Sequence, residues 1–136
     1  MKKFILESKL NEEMKGKMIR LFENADKYMS AHSQEAEGAR KIYVPVQLTF
    51  NKKKIVRVGL VNDLYFENAK DLDKVNAEFD NEEFNQFNKN GVIEKPIPMN
   101  LNNDKCIIFM PAIYTPADQD GEGESVIYLG YNLFFN

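Results

Sequence analysis

Cysteine, histidine, tryptophan and long apolar segments are scarce in this sequence. Cys106 is the only cysteine, so neither a disulfide nor a cysteine-based zinc site can form within one chain. This composition favours a reducing, cytoplasmic compartment. Only three consecutive apolar residues precede Glu7, and the longest apolar run, residues 106–113, is far shorter than the roughly 20 residues that cross a bilayer. We therefore expect no export signal and no membrane span.

Catalytic motifs are also scarce. His32 is the only histidine and lies in a polar segment, whereas Cys106 opens an apolar run, so we do not expect a nucleophile and base pair. The sequence contains no Gly-x-Ser-x-Gly elbow, no phosphate-binding glycine-rich loop and no His-Glu-x-x-His motif. It therefore predicts no catalytic residue and no cofactor, and it favours a non-enzymatic protein.

The residues that are abundant are typical of one folded domain. The chain has 136 residues, of which 43% are hydrophobic and 29% are charged, far from the composition of a disordered chain. We predict one domain over residues 1–136. Lysine outnumbers arginine 15 to 3, and there are 15 asparagines, a bias that suggests an AT-rich bacterial or phage genome.

Two segments have the spacing of amphipathic helices. Ser8 is predicted to cap the first helix, with Glu12 and Glu13 near its positive end. Its apolar stripe consists of Leu10, Met14, Met18, Leu21, Phe22, Ala25, Tyr28 and Met29. The second helix is predicted within residues 67–90, with a break near residues 80–81 and Gly91 as its C-cap. Its apolar face consists of Leu72, Val75, Phe79, Phe84 and Phe87.

Two pairs of apolar runs have the period of β-strands and predict two hairpins. In residues 41–61 alternate residues are apolar on either side of a lysine-rich turn, and Pro45 favours an edge strand or a position whose nitrogen faces away from its neighbour. Residues 105–114 and 125–135 form the second pair, and the last strand, which is apolar on both sides, is expected to be central. The predicted fold is a single α+β domain of order α-ββ-α-ββ, with a mainly antiparallel sheet of about four strands and two helices on one face.

The loop between the last two predicted strands is acidic and resembles the start of a calcium-binding loop. Its carboxylates are those of Asp118, Asp120, Glu122 and Glu124. The first three, followed by Gly123, match positions 1, 3, 5 and 6 of such a loop, but Leu129 stands where position 12 needs a bidentate Glu. The loop is therefore either a divalent-cation site or an extended solvated segment.

Charge is distributed unevenly along the chain. Residues 1–60 have a net charge of +6 and residues 61–136 a net charge of −9. Lys52, Lys53, Lys54 and Arg57 form either a surface for an acidic partner or a solvated turn. A pI near 5.3 argues against nucleic-acid binding. The acidic half also raises the hypothesis of a nucleic-acid mimic that occupies a nucleic-acid-binding protein.

Aromatic residues at the end of the chain predict an interface. Tyr128 and Tyr131 precede Phe134 and Phe135, and the ten Phe and six Tyr exceed what one small core is expected to bury. The first hypothesis is therefore a cytoplasmic interaction protein that binds a protein partner, a second copy of itself included. The alternatives are a cation- or small-ligand-binding module that uses residues 118–124, and the acidic mimic.

Overall fold

Helices and strands alternate along the chain in a computed structural model that describes residues 1–35, 37–61, 64–65, 69–79, 97–98, 101–102, 104–117 and 126–135. The helices are α1 (Lys2–Leu6), α2 (Glu12–His32), α3 (Ala69–Glu78) and α4 (Tyr131–Phe134). The strands are β1 (Arg40–Asn51), β2 (Lys54–Leu60), β3 (Leu64–Tyr65), β4 (Ile97–Pro98), β5 (Lys105–Thr115) and β6 (Val126–Tyr128).

The four longer strands form one antiparallel sheet in the order β2-β1-β5-β6. The short strands β3 and β4 pair separately, in parallel. The predicted α+β class, the antiparallel sheet and the order α-ββ-α-ββ are confirmed. Of the helices in the described ranges, none combines the length and the apolar character that a bilayer span requires.

The ladder between β1 and β5 is the centre of the sheet. It runs without a shift from Arg40 paired with Tyr114 to Thr49 paired with Lys105, ten residue pairs in all. Residues 42–46 and 106–112 are all buried, so both faces of the ladder are covered at this level. A run of consecutive apolar residues, as in β5, is typical of a strand that is buried on both faces.

The prediction of a long central strand over residues 125–135 is wrong. The strand β6 has three residues, pairs only with the last three residues of β5, and lies at the sheet edge. Gly130 then adopts the left-handed conformation, with φ +65, and its carbonyl oxygen accepts hydrogen bonds from the amides of Leu133 and Phe134 at 3.0 and 3.1 Å. A left-handed glycine reverses the chain readily, so α4 replaces the predicted strand.

Pro45 lies inside the sheet, on β1, so the edge-strand alternative is wrong. The amide of Val61 donates to the carbonyl oxygen of Pro45 at 3.0 Å. The N and C=O groups of one residue point to the same side of a strand. The proline nitrogen therefore faces Val61, the residue after β2, and points away from β5. The β1–β5 ladder therefore needs no donor from Pro45.

The helix α2 begins later than Ser8. Asn11 is the N-cap, and its Oδ1 accepts a hydrogen bond from the amide of Met14 at 2.9 Å. Ser8 instead stabilises the turn after α1, where its hydroxyl donates to the carbonyl oxygen of Ile5 at 2.6 Å. The predicted stripe is confirmed where the helix meets the core, through the buried residues Met14, Met18, Leu21, Ala25 and Met29.

The second predicted helix is confirmed as α3, over a shorter range. Val75 and Phe79 are buried as expected. The Phe79 ring stacks on Tyr43 of β1, with centroids 4.2 Å apart, and Phe22 of α2 stacks on the same tyrosine at 6.0 Å. The helix α2 and the end of the α3 segment thus both contact β1 through the Tyr43 ring. The predictions for residues 80–91, including Phe84, Phe87 and the Gly91 cap, lie outside the described residues.

Replacing Gly130 with Ala is expected to lower the free energy of unfolding by about 1–3 kcal/mol. The new Cβ would need a left-handed backbone and would lie 2.9 Å from a ring carbon of Phe134. Urea denaturation measures the effect. Gly59→Ala is the matched control, because no heavy atom lies within 4 Å of the added Cβ. Equal stability of the Gly130→Ala variant and the unmodified chain would contradict the role of Gly130 as a chain reversal.

Candidate functional site

A polar cluster fastens α2 to β1. Asp26 Oδ1 accepts hydrogen bonds from the Tyr43 hydroxyl at 2.8 Å and from Lys41 Nζ at 3.0 Å. Lys41 Nζ also donates to the Ser30 hydroxyl at 2.9 Å. The Lys41 ammonium lies 5.2 Å from the centre of the Tyr43 ring, within range of a cation–π interaction. Periodicity did not predict this cluster, because periodicity describes one element at a time and the cluster joins residues of α2 and β1.

Lys41 and Tyr43 of this cluster stay protonated at neutral pH. Burial raises the pKa of Tyr43 to about 12, and the contact with the Asp26 carboxylate adds to the rise. Burial alone would lower the pKa of Lys41, but its hydrogen bonds to Tyr43 and Asp26 outweigh this and raise it. A tyrosine and a lysine that stay protonated at neutral pH are poor general bases. The cluster is therefore suited to holding two elements together.

Cys106 and His32 have separate surroundings. The Cys106 sulfur is buried and lies 3.9 Å from the sulfur of Met18. His32 ends α2 roughly 20 Å along the helix from Met18, and its Nδ1 lies 2.5 Å from a carboxylate oxygen of Glu35. Burial raises the pKa of the Cys106 thiol to about 12, whereas a nucleophilic cysteine needs a lowered pKa.

The predicted cation ligands Asp118, Asp120, Glu122 and Glu124 lie outside the described residues. Within the described ranges, no group of three or more acidic, histidine or cysteine side chains is placed to hold a metal ion. On α3, Asp73 is exposed, but the Glu78 carboxyl group is turned inward against the Met1 amino group, whose pKa burial lowers to about 5. Glu78 is therefore unavailable to the acidic surface of the mimic hypothesis.

The predicted basic surface lies at the tip of the β1–β2 hairpin. Lys52 and Lys53 are the two turn residues, and both have positive φ, 50 and 68. Two successive left-handed residues match the type I′ turn, which normally selects Asn-Gly. The exposed Arg57 lies farther along β2, where it lines a small pocket of about 250 Å³ with Thr49 and Leu60. The structure therefore does not gather the four predicted cations into one site.

Lys54 instead belongs to a larger cavity, of about 590 Å³, between α2, the start of β2 and α4. Two further cations, Lys17 and Arg20 of α2, line it, and an apolar wall is formed by Leu133 and Phe134 of α4 with the following residue, Phe135. Among the residues that the structure describes, no carboxylate lines this cavity. Only Lys54 among its cations was predicted from the sequence. The sequence signal that could have indicated the other two cations is the three- and four-residue spacing of Lys17, Arg20 and Asn24. This spacing places them on one face of α2, next to its apolar stripe.

The chain end presents exposed apolar side chains, as the aromatic content predicted. We call Val126, Tyr128, Tyr131 and Leu133 the C-terminal surface, and each is between 43 and 57% exposed. The buried neighbours Leu129 and Phe135 anchor this segment, and the Phe134 ring packs edge-on against Tyr28 at 5.5 Å. The predicted residues Tyr128 and Tyr131 are thus both exposed, and both are on a different segment from the basic hairpin tip.

Comparison with protein-family models, with curated proteins and with solved structures found no match. The structural features of the chain itself therefore carry the functional interpretation.

The Cys106 thiol is expected to resist Ellman's reagent in the folded protein at mildly alkaline pH. Its burial and raised pKa keep it protonated and out of contact with solvent. Absorbance of the released thiolate follows the reaction, and the protein unfolded in guanidinium serves as the reactive control. Rapid stoichiometric labelling of the folded protein would contradict this placement.

Tyr43 is expected to ionise later than an ordinary tyrosine, near pH 12. Because its pKa is raised above the unfolded value of 10.0, its stabilising effect is complete below pH 10 and is lost as the pH rises through about 12. Ultraviolet absorbance of tyrosinate measures the titration. In the Tyr43→Phe variant a late-ionising component should disappear. A titration curve identical to that of the unmodified chain would rule out the assignment.

Proposed function

We propose that this chain is a cytoplasmic, non-enzymatic interaction protein that pairs with a second copy of itself through its C-terminal surface. The observation that carries the proposal is the difference between the two edges of the sheet. Edge strands offer unpaired backbone groups to other chains, and soluble proteins usually protect them with charged side chains. The two edges of this sheet differ in that protection.

Within the described ranges, charged side chains protect the edge strand β2 but not the edge strand β6. Lys54 and Arg57 stand on β2 and are exposed, beside the 59% exposed Val56. In contrast, residues 126–135 include no charged side chain, although 29% of the chain is charged. Four of these ten residues are large, apolar and exposed. An uncharged apolar edge of this kind supports association, because burying it excludes water without desolvating a charge.

A second copy is the partner that best suits this surface. Two copies each have a net charge of −3 and repel one another over most orientations. The C-terminal surface contains no charged side chain, so two copies that meet there do not bring like charges into contact. An antiparallel edge strand is also self-complementary under twofold symmetry, since every contact between two residues is repeated with the two copies exchanged. The proposed dimer is therefore a twofold pair in which β6 strands lie side by side.

Val126→Lys is expected to convert the dimer to a monomer. The substitution places a charge on the first residue of the proposed interface strand, where pairing of the two β6 strands would remove the ammonium group from water. Analytical ultracentrifugation over a hundredfold range of protein concentration measures the equilibrium, and we expect the dissociation constant to rise at least tenfold.

Val56→Lys is the matched control, because Val56 is an equally exposed valine on the opposite edge strand. It should leave the dimer intact. Thermal melts of both variants verify that each still folds. An unmodified chain that remains monomeric at every concentration would overturn the proposal, as would equal weakening of the dimer by both substitutions.

A further inference from the structure

We infer that the cavity between α2, β2 and α4 binds a small organic carboxylate with an apolar body. This goes beyond self-association, because it assigns a ligand site to a cavity that shares only Leu133 with the C-terminal surface. The volume of about 590 Å³ lies within the range of about 300–1,000 Å³ typical of ligand pockets. The cavity is thus large enough for a drug-sized or fatty molecule.

The cations of this cavity are available to an anion. In the described part of the chain, the ion pairs that form involve none of Lys17, Arg20 and Lys54. Lys17 Nζ is positioned by a hydrogen bond of 2.6 Å to the carbonyl oxygen of Lys53. With no carboxylate among the described lining residues, the three cations repel one another, and a bound anion would relieve that repulsion.

The apolar wall determines the rest of the ligand. Leu133 is 57% exposed, and Phe134 and Phe135 extend the wall beside it. Covering this wall with hydrocarbon or an aromatic ring removes apolar surface from water. A bare inorganic ion would leave the wall exposed, and an uncharged apolar molecule would leave the cations unpaired. A carboxylate on an apolar body satisfies both, and the planar Arg20 guanidinium matches a carboxylate through two hydrogen bonds.

Gly16 provides room for Arg20. A Cβ at this position would lie 3.3 Å from Nη1 of Arg20, so the guanidinium packs against the helix backbone where glycine has no side chain. A glycine inside a helix costs up to about 1 kcal/mol relative to alanine. Gly16→Ala is therefore expected to displace the Arg20 guanidinium without loss of helix stability. A change in ligand affinity in this variant would then not be caused by unfolding.

Calorimetric titration with dodecanoate, together with fluorescence of anilinonaphthalene sulfonate as a second anionic probe, tests the site. We expect one bound dodecanoate per chain and displacement of the fluorescent probe by it. Arg20→Gln should weaken dodecanoate binding about tenfold, in line with the loss of a charge-assisted hydrogen bond. Gly16→Ala should weaken it by a smaller factor.

Lys52→Gln is the matched control, because it removes the same charge from the hairpin tip outside the cavity lining. It should leave binding unchanged. Dodecanol, which has the same chain without the charge, should bind at least tenfold more weakly than dodecanoate. Equal weakening by Lys52→Gln, equal affinity for dodecanol or no heat at millimolar dodecanoate would each overturn the inference.

The Val126→Lys variant separates this site from the proposed dimer. Val126 does not line the cavity, so this variant should bind dodecanoate with unchanged affinity whether or not it dimerises. Loss of dodecanoate binding in this variant would mean that the cavity depends on the dimer and would overturn the cavity as an independent site.

Discussion

The antiparallel ladder between β1 and β5 is the constraint on which the other elements depend. Its ten residue pairs join segments that are far apart in sequence, and its central residues are buried on both faces. Apolar side chains from outside the ladder, such as Met18, Phe79 and Phe135, belong to the same core cluster as the ladder. The remaining strands, β2 and β6, are left as the two edges of the sheet.

The two edges explain where the surface chemistry lies. The edge at β2 begins at a strained lysine turn and presents exposed charge, and its first residue, Lys54, also lines the large cavity. The edge at β6 ends at Gly130, whose left-handed backbone turns the chain back so that α4 forms the other wall of that cavity. The helix α2 completes it, since its core face holds the sheet and an adjacent face carries Lys17 and Arg20. Folding the core therefore creates the cavity.

Periodicity predicted the helices and strands correctly where apolar residues dominate one face of the element. The alternation from Ile42 to Phe50 and the stripe from Met14 to Met29 are both buried as expected, because burial of apolar area decides which face of an element turns inward. The same reasoning failed for residues 125–135. Alternate apolar residues continue past Gly130, but the local backbone of one glycine ends the strand, and the apolar side chains after it are partly exposed. Ser8 and Asn11 are both good capping residues, and only the turn after α1 decides between them.

The amino-acid sequence by itself determined the fold class, the two main helices, the strands of the first hairpin and the excess of aromatic residues at the chain end, because these depend on local spacing and on total apolar content. The tertiary structure alone decided which strands are central, which strands form the edges of the sheet, and which cations share a cavity. Lys17 and Lys54 lie on different elements, as do Asp26 and Tyr43. Such pairs arise from how helices cross a sheet, and the periodicity of one segment contains no information about its distance from another.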